Sequence, residues 1–157
     1  MKSILFVCTG NVFRSVTAEY ALKARLGPER RLIVGSAGIL AKPQSLHPMI
    51  LEYLRAKGAD LSAHVQRKLT RELLAEADLA VAMGFDHREF IREQFGRDVP
   101  LFNQVCFEKE EPVLDLHEVM PDWPSDMDGA RAYVQSVVDH IWASVPVLLE
   151  RLPLYRR

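Results

Sequence analysis

The chain has 157 residues, of which 20 are Lys or Arg and 21 are Asp or Glu, so its formal net charge is −1. This length fits one domain, expected over residues 1–157, and the near-zero charge argues against a general nucleic-acid or membrane-surface binder. Two cysteines exclude a disulfide framework, no apolar run approaches the ~20 residues of a membrane span, and we therefore expect a cytoplasmic protein with reduced thiols.

Segments with the patterns of strands and of helices alternate along the chain. Short apolar runs predict strands buried on both faces at residues 4–7, 32–34, 79–83 and 99–102. Apolar stripes bounded by capping or stop residues predict helices at residues 15–26, 48–57, 70–77 and 86–95. Residues 103–125 are expected to be irregular, and Asp126 is expected to cap a long last helix that Pro146 kinks or breaks.

This alternation predicts an α/β fold. Crossovers between parallel strands are right-handed and leave helices on both faces of the sheet. Ligands of such sheets bind beyond the carboxyl ends of the strands. The loop after the first strand is therefore the first place to look for a functional site.

That loop places Cys8 and Arg14, with five residues between them, between the first strand and a helix N-terminus. Backbone amides can converge on one point there, and the helix end adds partial positive charge. The planar fork of Arg14 fits two phosphate oxygens, and positive potential at the base of the loop should hold Cys8 as the nucleophilic thiolate. The predicted phosphate-binding residues are Thr9, Gly10, Asn11, Val12, Phe13, Arg14 and Ser15.

Other residues of the loop fit this role. Gly10 allows a sharp turn, Asn11 tolerates a left-handed backbone, and Ser15 can donate a hydrogen bond to the thiolate or cap the helix. The alternative is that Cys8 is a small buried hydrophobe, which is the usual place of a free cysteine. The absence of a Gly-Lys-Ser/Thr sequence excludes a Walker A loop.

The pattern Cys8-x5-Arg14-Ser15 at the end of an N-terminal strand resembles the low-molecular-weight protein tyrosine phosphatases. The resemblance covers the whole chain, because Ser36-Ala37-Gly38, residues 58–64 and Met83 follow in the family's order. It implies a three-layer α/β/α sandwich with a four-stranded parallel sheet in the order 2-1-3-4. It also implies hydrolysis of phosphomonoesters through a phosphocysteine, with no metal and no other cofactor.

The resemblance implies catalytic roles for Cys8, Arg14 and an Asp that acts as general acid and base. The family carries this Asp in an Asp-Pro-aromatic motif before the last helix, which assigns the role to Asp122, although Trp123 and Pro124 stand in reversed order. Asp126 and Asp115 are the alternative general acids. The non-catalytic alternative is that Asp122 only starts a turn and Asp126 only caps the last helix. The residues expected to support the loop are Asn11, Ser15, Ser36 and His64, and the expected substrate walls are Leu40 and Trp123.

The remaining His and Cys residues receive no catalytic role. No set of ligands has the spacing of a zinc site, and the other histidines, expected to face solvent, are His47, His87, His117 and His140. Phe13 stands where the family often has a second cysteine, so Cys8 lacks that disulfide partner and is more open to irreversible oxidation. The basic residues expected to form a solvated tail are Arg151, Arg156 and Arg157.

Three functions stay open at this point. The first is a cysteine-dependent phosphatase for phosphotyrosine proteins. The second is an arsenate reductase of the same fold, which needs two further thiols where the chain offers only Cys106. The third is a phosphate-binding module without an effective acid. Val12 disfavours phosphoarginine, since the family's arginine phosphatases carry Thr at that place.

The resemblance also implies the partners. A phosphotyrosine protein is the expected substrate and, by analogy with bacterial phosphatases that oppose the tyrosine kinases of exopolysaccharide export, a tyrosine kinase is the expected partner. Neither nucleic acid nor a membrane is expected as a partner, and the expected oligomeric state is a monomer.

Overall fold

The computed structural model describes residues 1–155. Its parallel sheet has β1 (Ser3–Cys8) at the centre, flanked by β2 (Ile33–Gly38) and β3 (Leu79–Ala82), in the order β2-β1-β3. Strand β1 takes the central place because its side chains are apolar on both faces. The side chains of Ile4 and Phe6 are buried on one face, and the side chains of Leu5 and Val7 are buried on the other.

Helices cover both faces of the sheet and form two separate cores with it. The helices are α1 (Arg14–Leu26), α2 (Pro48–Ala56), α3 (Arg71–Glu76), α4 (Phe85–Phe95), α5 (Phe102–Phe107), α6 (Leu116–Val119) and α7 (Met127–Arg151). Buried side chains of α1, α2, α5, α6 and α7 pack on the face of Ile4 and Phe6. Those of α3 and α4 pack on the opposite face, with Leu5 and Val7. The α/β architecture with a parallel sheet is thus confirmed.

The prediction of a fourth strand at residues 99–102 is wrong. Within the described residues, this segment pairs with the sheet through a single parallel bridge between Leu101 and Ala82, and Phe102 already begins α5. The apolar run has another cause, because Leu101 is buried in one core and Phe102 in the other. Burial without a hydrogen-bonded ladder produces the same run of apolar residues as a strand.

The segment predicted to be irregular, 103–125, contains most of α5, all of α6 and a 3₁₀ turn, Trp123–Ser125. Asp126 caps α7 as expected, since its carboxylate accepts a hydrogen bond of 3.0 Å from the Gly129 amide. The expected break at Pro146 is absent, because α7 continues through Pro146 to its end. Helix α7 is 25 residues long, yet no helix in residues 1–155 combines the length and apolar character of a membrane span.

The C-terminal basic residues are only partly described. Arg156 and Arg157 lie outside the described residues. Arg151 differs from the expected solvated tail, because its Nε donates to the Val105 carbonyl at 2.6 Å and its Nη2 lies 3.1 Å from Glu108. It therefore ties the end of α7 to α5.

Candidate active site

The loop between β1 and α1 lies at the carboxyl end of the central strand. Cys8 is the last residue of β1 and Arg14 the first of α1, so residues 9–13 form the whole connection. Asn11 adopts a left-handed backbone with φ of 57°. Within residues 1–155, the amides of residues 9–13 have no hydrogen-bond acceptor, which leaves them available for an anion.

The end of β2 packs closely against this loop. The amide of Leu40 donates to the Thr9 carbonyl at 2.9 Å. A Cβ on Gly38 would lie 2.4 Å from the Thr9 carbonyl oxygen and 2.8 Å from the Asn11 nitrogen. Because both atoms belong to the backbone and cannot move aside, only glycine fits at this contact.

The Cys8 sulfur lies at the base of the loop, and Cys8 is only 2% exposed. Its Sγ is 2.8 Å from the Ser15 hydroxyl oxygen, which also accepts a hydrogen bond of 3.0 Å from Nδ2 of Asn11. Since Asn11 supplies one hydrogen to that oxygen, the hydrogen of Ser15 itself can be donated to the sulfur. A donor of this kind stabilises a thiolate.

A buried network around Asn11 fixes the loop. Its Oδ1 accepts from the Arg67 amide at 3.0 Å, and its Nδ2 donates to the Ser36 hydroxyl at 2.8 Å. The Ser36 hydroxyl donates in turn to Glu19 at 2.5 Å, and Nε2 of His64 lies 3.1 Å from the Asn11 carbonyl oxygen. Sequence reasoning missed Glu19, although an acidic side chain among the apolar residues of α1 was an available signal.

Replacing Asn11 by Ala should lower the free energy of unfolding by about 3 kcal/mol, because the three hydrogen bonds of this buried side chain are lost and Ala disfavours a positive φ. Urea denaturation measures this. The matched control is Asn11→Gly, which loses the same hydrogen bonds but tolerates the backbone and should be about 1 kcal/mol more stable than Asn11→Ala. Equal stability of wild type and Asn11→Ala would contradict the proposed support of the loop.

The Arg14 guanidinium is buried and held at two points. Nη1 donates to the Val113 carbonyl at 2.9 Å, and Nη2 donates to the Thr9 hydroxyl at 3.3 Å. Two carboxylates lie close to it, that of Asp115 at 3.5 Å and that of Glu118 at 3.7 Å. These contacts fix the direction of the guanidinium beside the loop.

Asp115 lies directly after the segment that anchors Arg14. Its Oδ1 caps α6 by accepting from the Leu116 amide at 2.8 Å, while its Oδ2 is the atom near Arg14. Nδ1 of His117 is 3.2 Å from the same Oδ2. The Tyr133 hydroxyl donates to the Leu114 carbonyl at 2.5 Å and so ties this segment to α7. Asp115 is thereby held at the edge of the loop.

The two other candidate acids lie elsewhere. The backbone carbonyl of exposed Asp122 accepts from the amide and the hydroxyl of Ser125, at 2.9 and 2.6 Å. No hydrogen bond or ion pair in residues 1–155 joins Asp122 to residues 8–15. Asp126 is committed to the cap of α7. The geometry therefore favours Asp115, and the assignment to Asp122 remains a prediction from sequence order.

The two expected substrate walls differ in their surroundings. Leu40 is 66% exposed on the segment that hydrogen-bonds the loop, so its side chain is available to a substrate. The Trp123 ring packs partly against the core, and its centroid lies 5.5 Å from that of His47 in an edge-on arrangement. A wall formed by Trp123 would also involve His47.

The expectation that His87 faces solvent is wrong. His87 is fully buried, with Nδ1 at 3.0 Å from the Gly84 amide and Nε2 at 2.9 Å from the Thr9 hydroxyl. Burial and the charge of Arg14 lower the pKa of His87 to about 4, so the ring is neutral near pH 7. The available signal was its position just after β3, at the sheet edge that carries Cys8.

Comparisons with known proteins extend over most of the chain. The profile of the family described as low molecular weight phosphotyrosine protein phosphatase matches residues 3–153. A protein-arginine-phosphatase of Bacillus subtilis is 43% identical over 116 residues, which cover 73% of this chain and 74% of that protein. The low molecular weight protein-tyrosine-phosphatase Etp of Escherichia coli is 35% identical over 115 residues, covering 71% and 76%.

A solved structure adds a chemical observation on a similar protein. It shows the YwlE arginine phosphatase as a cysteine-to-serine mutant with a phosphorylated active site serine. It superposes on this chain with a TM-score of 0.81 at 31% identity and covers 96% of this chain and 95% of its own.

Proposed function

Because the chain belongs to the low-molecular-weight phosphotyrosine protein phosphatase family, we propose that it hydrolyses phosphotyrosine in proteins through a phosphocysteine on Cys8. One observation carries this proposal. The Cys8 sulfur lies 2.8 Å from the Ser15 hydroxyl oxygen and beside a buried guanidinium, at the base of a loop whose amides have no hydrogen-bond acceptor among residues 1–155. These groups can hold a nucleophile and a phosphoryl group together.

The reaction takes two displacements at phosphorus. In the first, the Cys8 thiolate forms an S–P bond while the ester P–O bond breaks, and the leaving oxygen receives a proton from the general acid. In the second, the same carboxylate removes a proton from water, whose oxygen displaces the sulfur and releases inorganic phosphate. The loop amides and Arg14 stabilise the equatorial phosphoryl oxygens in both steps.

We assign the general acid to Asp115. Its carboxylate lies 3.5 Å from the guanidinium that would bind the phosphoryl group, whereas no hydrogen bond or ion pair among residues 1–155 joins Asp122 to the loop. His117 keeps an aromatic ring two residues after the acid, as in the family's Asp-Pro-aromatic motif, with Leu116 in place of Pro. This support is geometric, whereas the support for Asp122 is its place in the sequence.

Phosphoarginine is the second candidate substrate, because an arginine phosphatase is among the similar proteins. The rim of the loop favours an aryl ester instead. Val12 folds over Gly10, with its Cγ2 3.3 Å from where a Cβ on Gly10 would lie, and Leu40 is exposed nearby. An apolar rim suits a phenyl ring, whereas the N–H groups of a guanidinium need acceptors.

Cys106, the second cysteine of the chain, does not support an arsenate reductase function. Cys106 is 2% exposed on α5, and its Sγ lies 3.8 Å from the Ser144 carbonyl. Burial raises the pKa of Cys106 to about 12, which makes it a poor nucleophile toward an oxidised Cys8.

The wider context of the enzyme follows from its chemistry. A protein tyrosine kinase must supply a phosphotyrosine substrate, and it is the partner class that we propose. We further propose that residues 1–157 act as one domain, as a monomer in the cytoplasm.

The direct test combines p-nitrophenyl phosphate with three peptides of one sequence that carry phosphotyrosine, phosphoserine or phosphoarginine. Turnover in the presence of EDTA is expected, with kcat/KM for phosphotyrosine at least ~100-fold above that for phosphoserine. The reason is that Leu40 and Trp123 are expected to contact the ring of phosphotyrosine, whereas the side chain of phosphoserine is too short to reach them. A higher kcat/KM for phosphoarginine than for phosphotyrosine would instead support the second candidate, hydrolysis of phosphoarginine. Absence of turnover on every substrate would contradict a phosphatase and leave a phosphate-binding module.

A further inference from the structure

We infer that His87 is a positioning residue of this site, which orients the Thr9 hydroxyl so that Thr9 and Arg14 present fixed donors to the transferred phosphoryl group. The inference rests on the proposed phosphatase function. It gives a role to a fully buried polar side chain on α4, outside the cysteine loop.

The hydrogen bonds of His87 define its tautomer. Nδ1 accepts from the Gly84 amide at 3.0 Å, because a backbone N–H can only donate. The proton of the neutral ring is therefore on Nε2, which lies 2.9 Å from the Thr9 hydroxyl oxygen and donates to it. The direction of this hydrogen bond is thus fixed by the backbone of Gly84.

The Thr9 hydroxyl oxygen receives a second hydrogen from Nη2 of Arg14 at 3.3 Å. A hydroxyl oxygen has two lone pairs, and these two donors occupy both of them. The hydrogen of Thr9 must then point in the one remaining direction. No acceptor for it lies within the described residues, and Thr9 is only half-buried in the loop, so a phosphoryl oxygen can accept it.

Arg14 is held from the other side by the Val113 carbonyl, at 2.9 Å from Nη1. His87, Thr9, Arg14 and the Val113 carbonyl therefore form one chain of hydrogen bonds that ends in the backbone at both ends. Removal of the donor at Nε2 would leave the Thr9 hydroxyl free to rotate and would loosen one of the two anchors of the guanidinium. Preorganised donors of this kind lower the barrier for developing charge.

The charged groups that face His87 are Arg14, Asp86 and Asp115. The Asp86 carboxylate lies 3.5 Å from Nε2, which is longer than the 2.9 Å to Thr9. A protonated ring would carry a hydrogen on Nδ1, directed at the Gly84 amide, and would place a second cation beside Arg14. The neutral ring is the form that satisfies all of these contacts.

Two variants separate the roles of the two ring nitrogens. His87→Asn retains a short side-chain oxygen that can accept from Gly84 but is too short to reach Thr9. His87→Gln extends an amide nitrogen to about the place of Nε2 and can donate to the Thr9 hydroxyl. A positioning role through Thr9 favours the Gln variant, whereas a purely structural role at the start of α4 favours the Asn variant.

With p-nitrophenyl phosphate, we expect His87→Asn to lower kcat about 10-fold and to change the inhibition constant for inorganic phosphate by less than about threefold. His87→Gln should recover most of the lost rate. In a double-mutant cycle, His87→Asn should lower kcat by less than about twofold in a Thr9→Val background, because the hydroxyl that it positions is already absent.

The inference would be overturned by a wild-type rate in His87→Asn, by a faster Asn than Gln variant, or by losses that add in the cycle. If urea denaturation shows that His87→Asn is not folded, the comparison of Thr9→Val with Thr9→Ser takes its place, since only Ser retains the hydroxyl. Equal kcat values for these two variants would overturn the inference. An inactive wild-type protein would instead contradict the proposed phosphatase function, so the two failures are distinguishable.

Discussion

Replacement of Cys8 by Ser is expected to lower kcat for p-nitrophenyl phosphate by at least about 10⁴-fold, because a serine hydroxyl is not ionised at neutral pH and is a far weaker nucleophile. The fold should tolerate the change. The smaller oxygen occupies the same buried place, 2% exposed, and can still meet the Ser15 hydroxyl. Steady-state kinetics, together with a denaturation curve for each protein, measures the effect at constant structure.

The matched control is Cys106→Ser, which changes the other cysteine of the chain. Cys106 lies in the core between α5 and α7, and its sulfur contacts only the Ser144 carbonyl among hydrogen-bond partners in the described residues. We expect this variant to retain kcat within about twofold, as for a site outside the reaction. Comparable losses in both variants, or an active Cys8→Ser protein, would exclude Cys8 as the nucleophile.

Replacement of Asp115 by Asn should lower kcat/KM for a phosphotyrosine peptide by about 10²- to 10³-fold, in the range of a lost general acid. The loss of kcat/KM with p-nitrophenyl phosphate should be smaller, because kcat/KM reports the first displacement and p-nitrophenolate is a stable anion that departs without a proton. Asn retains an oxygen that can cap α6 and accept from the Leu116 amide. The comparison of the two leaving groups therefore separates acid catalysis from damage to the fold.

The control for Asp115 is Asp122→Asn, which should leave kcat on both substrates within about threefold, as expected for an exposed side chain outside the site. The reverse result, a large and leaving-group-dependent loss in Asp122→Asn with an active Asp115→Asn, would reinstate the acid that the order of the sequence indicates. Equal, moderate losses in both would contradict a single general acid.

The cysteine loop could be predicted from sequence because its parts are contiguous. Cys8 ends a buried strand and Arg14 begins a helix, so local periodicity alone places both at one edge of the sheet. The fourth strand could not be predicted correctly, because the run that ends at Phe102 is apolar for burial in two cores and not for pairing.

Contacts between segments that are distant along the chain could not be predicted from local sequence patterns. His87 is 78 residues from Thr9 along the chain and meets it only because β3 lies beside β1. The order of the sequence favours Asp122, because Asp122 stands directly before Trp123 and Pro124 ahead of the last helix, and nothing local indicates that the Val113 carbonyl holds Arg14. This hydrogen bond holds Arg14 to a carbonyl two residues before Asp115, whose carboxylate lies 3.5 Å from the guanidinium.

The most direct measurement is to identify the atom that carries the phosphoryl group during turnover. The wild-type enzyme, mixed with excess p-nitrophenyl phosphate and quenched within one turnover by alkaline denaturation, would be digested and its phosphopeptides identified by mass spectrometry. We predict one phosphoryl group on the sulfur of Cys8, absent from a sample quenched without substrate. Active enzyme that yields no phosphorylated Cys8, or that carries the phosphoryl group on another residue, would contradict the account.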